Sequence, residues 1–85
     1  MRLFAIAVFD VAVDAFNRPF FSPSIGAAVR SFQDEVNRSE SEMRKHPKDY
    51  DLYHVGVFDD QSGRFEPFER PEKIASGSNV FTQEG

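Results

Sequence analysis

Two stretches of the sequence bring cations and aromatic rings together. That pairing is the chemistry of holding an unpaired polynucleotide, because charge follows the phosphates while each ring stacks on a base for about 1–3 kcal/mol. The first stretch is Phe16-Asn17-Arg18-Pro19-Phe20-Phe21-Ser22-Pro23, where phenylalanines bracket one arginine and one asparagine. The second runs from Arg38 to Tyr53. Its acids come first (Glu40, Glu42) and its bases last (Arg44, Lys45, His46, Lys48), with Tyr50 and Tyr53 just beyond. Each stretch also has a plainer account. Phe16, Phe20 and Phe21 can plug the end of a core, and residues 38–48 can be a solvated linker with ordinary charges, which on the residues alone is the stronger account of them.

Other chemistries find less support. The sequence has no Walker-type glycine loop, no GxSxG, no HExxH and no Cys/His cluster. Its acids are spread through turns and helix surfaces rather than paired in apolar surroundings that would raise a pKa. We expect no catalysis and no cofactor. Asp10 and Asp14, without a histidine or third acid beside them, read as the solvated end of a strand rather than a metal site. His54 reads as a strand-surface histidine, since no nucleophile or cysteine accompanies it.

Elements must position these residues. Leu3, Ala5 and Ala7 alternate with Phe4, Ile6 and Val8, so both faces of the first strand are apolar and the strand belongs in the middle of a sheet. Ser22 or Ser24 is placed to cap a helix, with Pro23 in a first-turn position. Ile25, Ala28, Val29, Phe32 and Val36 then recur at spacings of three and four, which predicts an amphipathic helix to about Asn37. On its surface Arg30 either faces nucleic acid or, the simpler account, pairs with Asp34 one turn on. A short second helical turn follows, stopped by Pro47.

Leu52 to Phe58, the turn Asp59-Asp60-Gln61-Ser62-Gly63, and Arg64-Phe65-Glu66 read as a β-hairpin. Period-two alternation puts Tyr53, Val55 and Val57 on one face and Leu52, His54, Gly56 and Phe58 on the other. Gly56 in mid-strand suggests a bulge or a close backbone approach, and Pro67 an edge strand or its end. Arg70-Pro71-Glu72-Lys73 reads as a turn, and Ile74-Ala75-Ser76 as a short last strand. The expectation is one α+β domain over residues 1–76, a mainly antiparallel three- to four-stranded sheet with one long helix on one face, and a flexible C-terminal tail over 77–85.

The 85 residues contain no cysteine and no tryptophan, so neither a disulfide nor a thiolate metal site staples the fold. A core this small supplies only a few kcal/mol, and a homo-oligomer is expected. Ten Lys+Arg against fourteen Asp+Glu give a net charge of −4. That balance counts against a protein coated in positive charge for gripping duplex DNA, but leaves room for a local basic patch. The apolar N-terminal run is broken by Asp10 and falls short of a membrane span, so no membrane association is expected.

Taken in order, the strand ending in Asp10, Phe16-Asn17-Arg18-Pro19-Phe20, Ala28-Val29-Arg30-Ser31-Phe32, and the run from Pro47 to Asp59 with Gly63 closing the turn resemble the small nonstructural protein of gokushoviruses, single-stranded DNA bacteriophages of the microvirus group. The resemblance covers roughly Leu3 to Ile74. It implies a non-enzymatic protein of the infected bacterial cytoplasm that associates with single-stranded DNA during genome replication or its handover to packaging. For that role we nominate Arg18, Arg30, Arg38, Arg44, Lys45 and Lys48 for phosphates and Phe20, Tyr50 and Tyr53 for stacking. The alternative is a protein-interaction module that meets a phage scaffold, replication or capsid protein.

Overall fold

In the computed structural model, which describes residues 1–82, an antiparallel sheet carries one long helix on one of its faces. The strands are β1 (Arg2–Asp10), β2 (Ala15–Phe16), β3 (Phe20–Ser22), β4 (Tyr50–Asp59) and β5 (Arg64–Ser76). The helices are α1 (Ile25–Asn37), the single turn α2 (Glu42–Lys45) and the single turn α3 (Gly77–Val80), with a 3-10 turn at Pro47–Asp49. The sheet order is β2-β1-β4-β5, and β3 also pairs with β1, on the side away from β4. The doubly apolar first strand is therefore central, as its sequence predicts, and the fold class is the expected α+β. Two short strands raise the count to five.

Helix α1 begins at Ser24, whose hydroxyl accepts the Ala27 amide at 3.1 Å. This satisfies one of the donors a helix start leaves open. Pro23 lies just outside the helix rather than in its first turn. Ser22 instead donates its hydroxyl to the Ser24 carbonyl at 2.7 Å and is buried. The predicted stripe packs Ala28, Phe32 and Val36 onto Ile6, Val8 and Leu52, all buried. Phe4, Phe20, Tyr50, Met43, Val80 and Phe81 close around this core.

The hairpin forms with a correction to its alternation. Ala5 pairs with Gly56 and Ile6 with His54, so Val55 is an extra residue on β4. Such a bulge shifts every later side chain to the other face. Phe58 thus joins Tyr53 on one face, and Val57 joins His54 on the other. Strand β5 is bulged opposite the same point, because Gly56 pairs with Pro67 while His54 pairs with Glu72. Ladder pairing therefore lapses over Phe68–Pro71, at the start of the stretch read as a turn, yet the strand resumes and reaches Ser76. In the hairpin turn Asp59 accepts the Gln61 amide and the Ser62 hydroxyl, and Gly63 takes a φ of 74° that glycine adopts at low cost.

Residues 77–82, within the stretch expected as a flexible tail, are docked. A Cβ at Gly77 would collide with the Pro47 carbonyl oxygen, so the short α3 sits hard against the 3-10 turn. Asn37 ties the segment to α1. Its side-chain amide donates to the Gln33 and Val80 carbonyls, and its oxygen accepts from the Thr82 amide and hydroxyl at 2.8 and 3.0 Å. The rest of that stretch lies outside the described residues.

Candidate nucleic-acid interface

Among the described residues, no helix lies over the face of the sheet opposite α1. Pairing registers put Leu3, Ala5, Ala7 and Phe9 of β1 on this face, with Tyr53, Gly56 and Phe58 of β4 beside them. The short strands add Phe16, opposite Phe9, and Phe21, opposite Ala5. Phe65 of β5 pairs with Phe58 and lays its ring over Gly56, where a Cβ would come within 3.1 Å of it. Six rings thus surround a floor of small residues. Ala5 and Ala7 are buried although no element covers them. Neighbouring rings account for that burial.

Five of the six rings fall into two groups. Phe9, Phe16 and Tyr53 meet edge to face at 4.9, 5.4 and 6.2 Å, the arrangement aromatic quadrupoles favour. Phe21 and Phe58 stack at 4.8 Å with 22° between their planes. Phe16, Phe21 and Phe65 remain 44%, 46% and 43% exposed. Rings held apart from solvent on one side and open on the other are what base stacking needs.

The nominated residues divide differently from this face. Of the three rings, Tyr53 lies on it. Phe20 pairs with Ile6 and packs against the core on the helix side. Tyr50 is also packed on the core, where burial, with the Asp10, Glu42 and Asp49 carboxylates nearby, pushes its phenol above the ordinary value. Arg18 follows two residues after Phe16, while Arg38, Arg44 and Lys45 have partners of their own. Arg38 makes a bidentate pair with Glu35 at 3.1 and 2.8 Å, and this pairing, with the Ser41 hydroxyl, holds the Glu35 carboxyl below its ordinary range. Arg44 donates to the Asn37 carbonyl at 3.1 Å and lies over Phe81, which makes it a cap for the end of α1. Lys45 reaches Glu42 at 3.8 Å.

Arg18, Arg30 and Lys48 are exposed, and among the described residues none has a carboxylate within salt-bridge distance. The expected Arg30–Asp34 pair is therefore not formed. Beside the ring face, Lys73 stands opposite Tyr53 and is paired with Asp51 at 3.5 Å. Within the cluster Arg44 to Lys48, Arg44 and Lys45 thus have local partners while Lys48 has no carboxylate in reach among the described residues, and Phe9, Phe58 and Phe65 emerge as members of the ring face, Phe58 being the one that the bulge at Val55 hid from period-two reading.

Two further features bear on chemistry. His54 is buried between Phe4 and Phe68, at 5.1 and 4.5 Å between ring centroids, and among the described residues its Nε2 has no hydrogen-bond partner. Asp10 accepts the Ala12 amide in the β1–β2 turn, and among the described residues no three metal-ligating side chains cluster. No described helix is long and apolar enough to cross a membrane.

A family profile described as Phage ORF5 protein matches residues 1–80. Protein ORF5 of Chlamydia phage 1 is 32% identical over 71 residues, which is 79% of this chain and 74% of that protein. No solved structure matches the chain.

Proposed function

The chain belongs to the phage ORF5 protein family, and on that premise we propose that it is a non-enzymatic protein that binds single-stranded DNA on the open aromatic face of its sheet. It acts in the cytoplasm of the infected bacterium, during genome replication or the handover of the genome to packaging. The observation that carries this reading is the set of six rings on a face without a helix, three of them more than two-fifths exposed. Because Arg18 is the one nominated cation that adjoins these rings along the chain, stacking supplies most of the affinity and phosphate neutralisation little. For single strands the salt slope is about −0.7 per phosphate contact, so a shallow slope is expected.

Anisotropy titration of a labelled oligonucleotide across salt concentrations tests this. Binding should survive moderate salt, and Tyr53→Ala or Phe16→Ala should weaken it by about 1–3 kcal/mol each. Arg44→Ala with Lys45→Ala should change it little. An oligonucleotide that does not bind at low salt, or binds both ring variants as well as the parent, sinks the reading.

A second reading is favoured by the scarcity of cations beside the same rings. An exposed apolar patch on a small domain also suits a protein partner. Here the face would meet a phage replication or capsid protein, or a second copy of the chain. Sedimentation of the ring variants separates the two, because a face used for self-association would lose the oligomer when Phe21 and Phe65 are replaced by serine.

A further inference from the structure

The segment Phe16-Asn17-Arg18-Pro19-Phe20 crosses the edge of the sheet. Phe16 pairs with Phe9 and Phe20 with Ile6, so four steps along this edge match three along β1. In a regular strand residues four apart share a face. The extra residue sends Phe16 to the open face and Phe20 to the helix side. Beneath this crossing lies a pocket of about 330 Å³ between β1, β3, α1 and α2. Its floor is apolar (Val8, Phe20, Phe32, Met43) and its mouth polar (Asn17, Arg18, Ser31, Glu35). That volume is at the lower end of ligand pockets, which span roughly 300–1,000 Å³.

We infer that this pocket takes one nucleotide of a bound single strand, its base on the Phe20–Phe32 floor and its phosphate on Arg18. The inference rests on the reading of the open face as a single-strand platform, and the chain itself connects the two sites. A strand stacked as far as Phe16 reaches the sheet edge at Asn17 and Arg18, the mouth of the pocket. Arg18 is exposed and has no carboxylate partner among the described residues, so its charge is available to a phosphate. Glu35 is neutralised by Arg38 and further held by the Ser41 hydroxyl, so it sets little net charge against a phosphate at the mouth.

The test is an NMR titration of the ¹⁵N-labelled full chain with dCMP, dTMP, inorganic phosphate and N-acetylphenylalanine amide in separate arms. The expected result is saturable shifts of the Arg18, Ser31 and Glu35 amides with dCMP and with dTMP, and none with the other two probes. Ser31→Leu, at an exposed helix position that tolerates the change, should fill the mouth and weaken dCMP at least tenfold, whereas Phe16→Ala should leave it unchanged. Equal response to phosphate alone, or to the phenylalanine amide, overturns the inference. So does an oligonucleotide that shifts Phe16, Phe21 and Tyr53 while no nucleotide moves the pocket amides, an outcome that leaves the open-face reading standing. If neither oligonucleotide nor nucleotide binds, both fall.

Discussion

The two faces of the sheet are built from the same strands and differ in what closes them. On one, Ile6, Val8 and Leu52 meet the stripe Ala28, Phe32 and Val36 of α1, and aliphatic and aromatic side chains are sealed from water. On the other, small residues make a floor and rings stand around it, touching one another and still open to solvent. The first arrangement spends its apolar surface on folding. The second keeps apolar surface for an encounter, at the cost of leaving it wet until the partner arrives. Stability and recognition can therefore be altered separately, and substitutions on each side should prove it.

Phe32→Ala should have the largest effect. Removing a nearly buried ring at the centre of the closed face should cost about 3–5 kcal/mol, a large part of what a domain this size has. Urea unfolding measures it. On the open face, Tyr53→Ala should do the converse, weakening single-strand binding by about 1–3 kcal/mol while the unfolding midpoint moves little. Equal losses of stability in both variants would break the distinction between the faces.

His54→Leu should sharpen it. The imidazole leaves a buried nitrogen without a partner, and an apolar side chain of similar volume removes that penalty. Stability should rise by about 1 kcal/mol, read as a higher melting temperature, with DNA binding unchanged.

The smallest effect concerns pH. The Glu35 carboxyl is held below its ordinary value of 4.5 in the folded state, chiefly by its bonds from Arg38. A depressed pKa gives a stabilising contribution that is complete above the ordinary value and is lost as pH falls through the folded one. Melting temperature should thus be flat from neutrality down to about pH 5 and decline below that. Glu35→Gln should make the decline shallower. The pair is partly exposed, so solvent screening keeps the difference small.

Much of the closed face was legible in the residues. The three-and-four spacing of Ile25 to Val36 specified the helix and its buried stripe, and the doubly apolar Leu3 to Val8 specified a central strand. The open face was legible only in part. Tyr53 is a nominated ring that lies there, and the aromatic loop from Phe16 to Phe21 reads as a stacking segment, but its nominated ring, Phe20, lies on the helix side and two bulges hide the arrangement. Period-two reading assigned Phe58 to the face of Leu52, and the extra residue at Val55 moved it to the face of Tyr53. The extra residue between Phe16 and Phe20 separated two rings that their spacing joins. A bulge depends on how neighbouring strands meet, and its sequence trace here was no more than Gly56 and Pro19. The placement of the cations has a different reason. Clustering along the chain made Arg44 to Lys48 look like a patch, but a tight turn directs successive side chains apart, and Arg44 is occupied in capping α1.

Mapping by light bears most directly on the central claim. A thymidine oligomer irradiated in complex with the chain should crosslink to the peptides carrying Phe16, Phe21, Tyr53 and Phe65, on the open face. Crosslinks confined to Tyr50 and the basic segment 38–48, with the ring face untouched, would contradict the account.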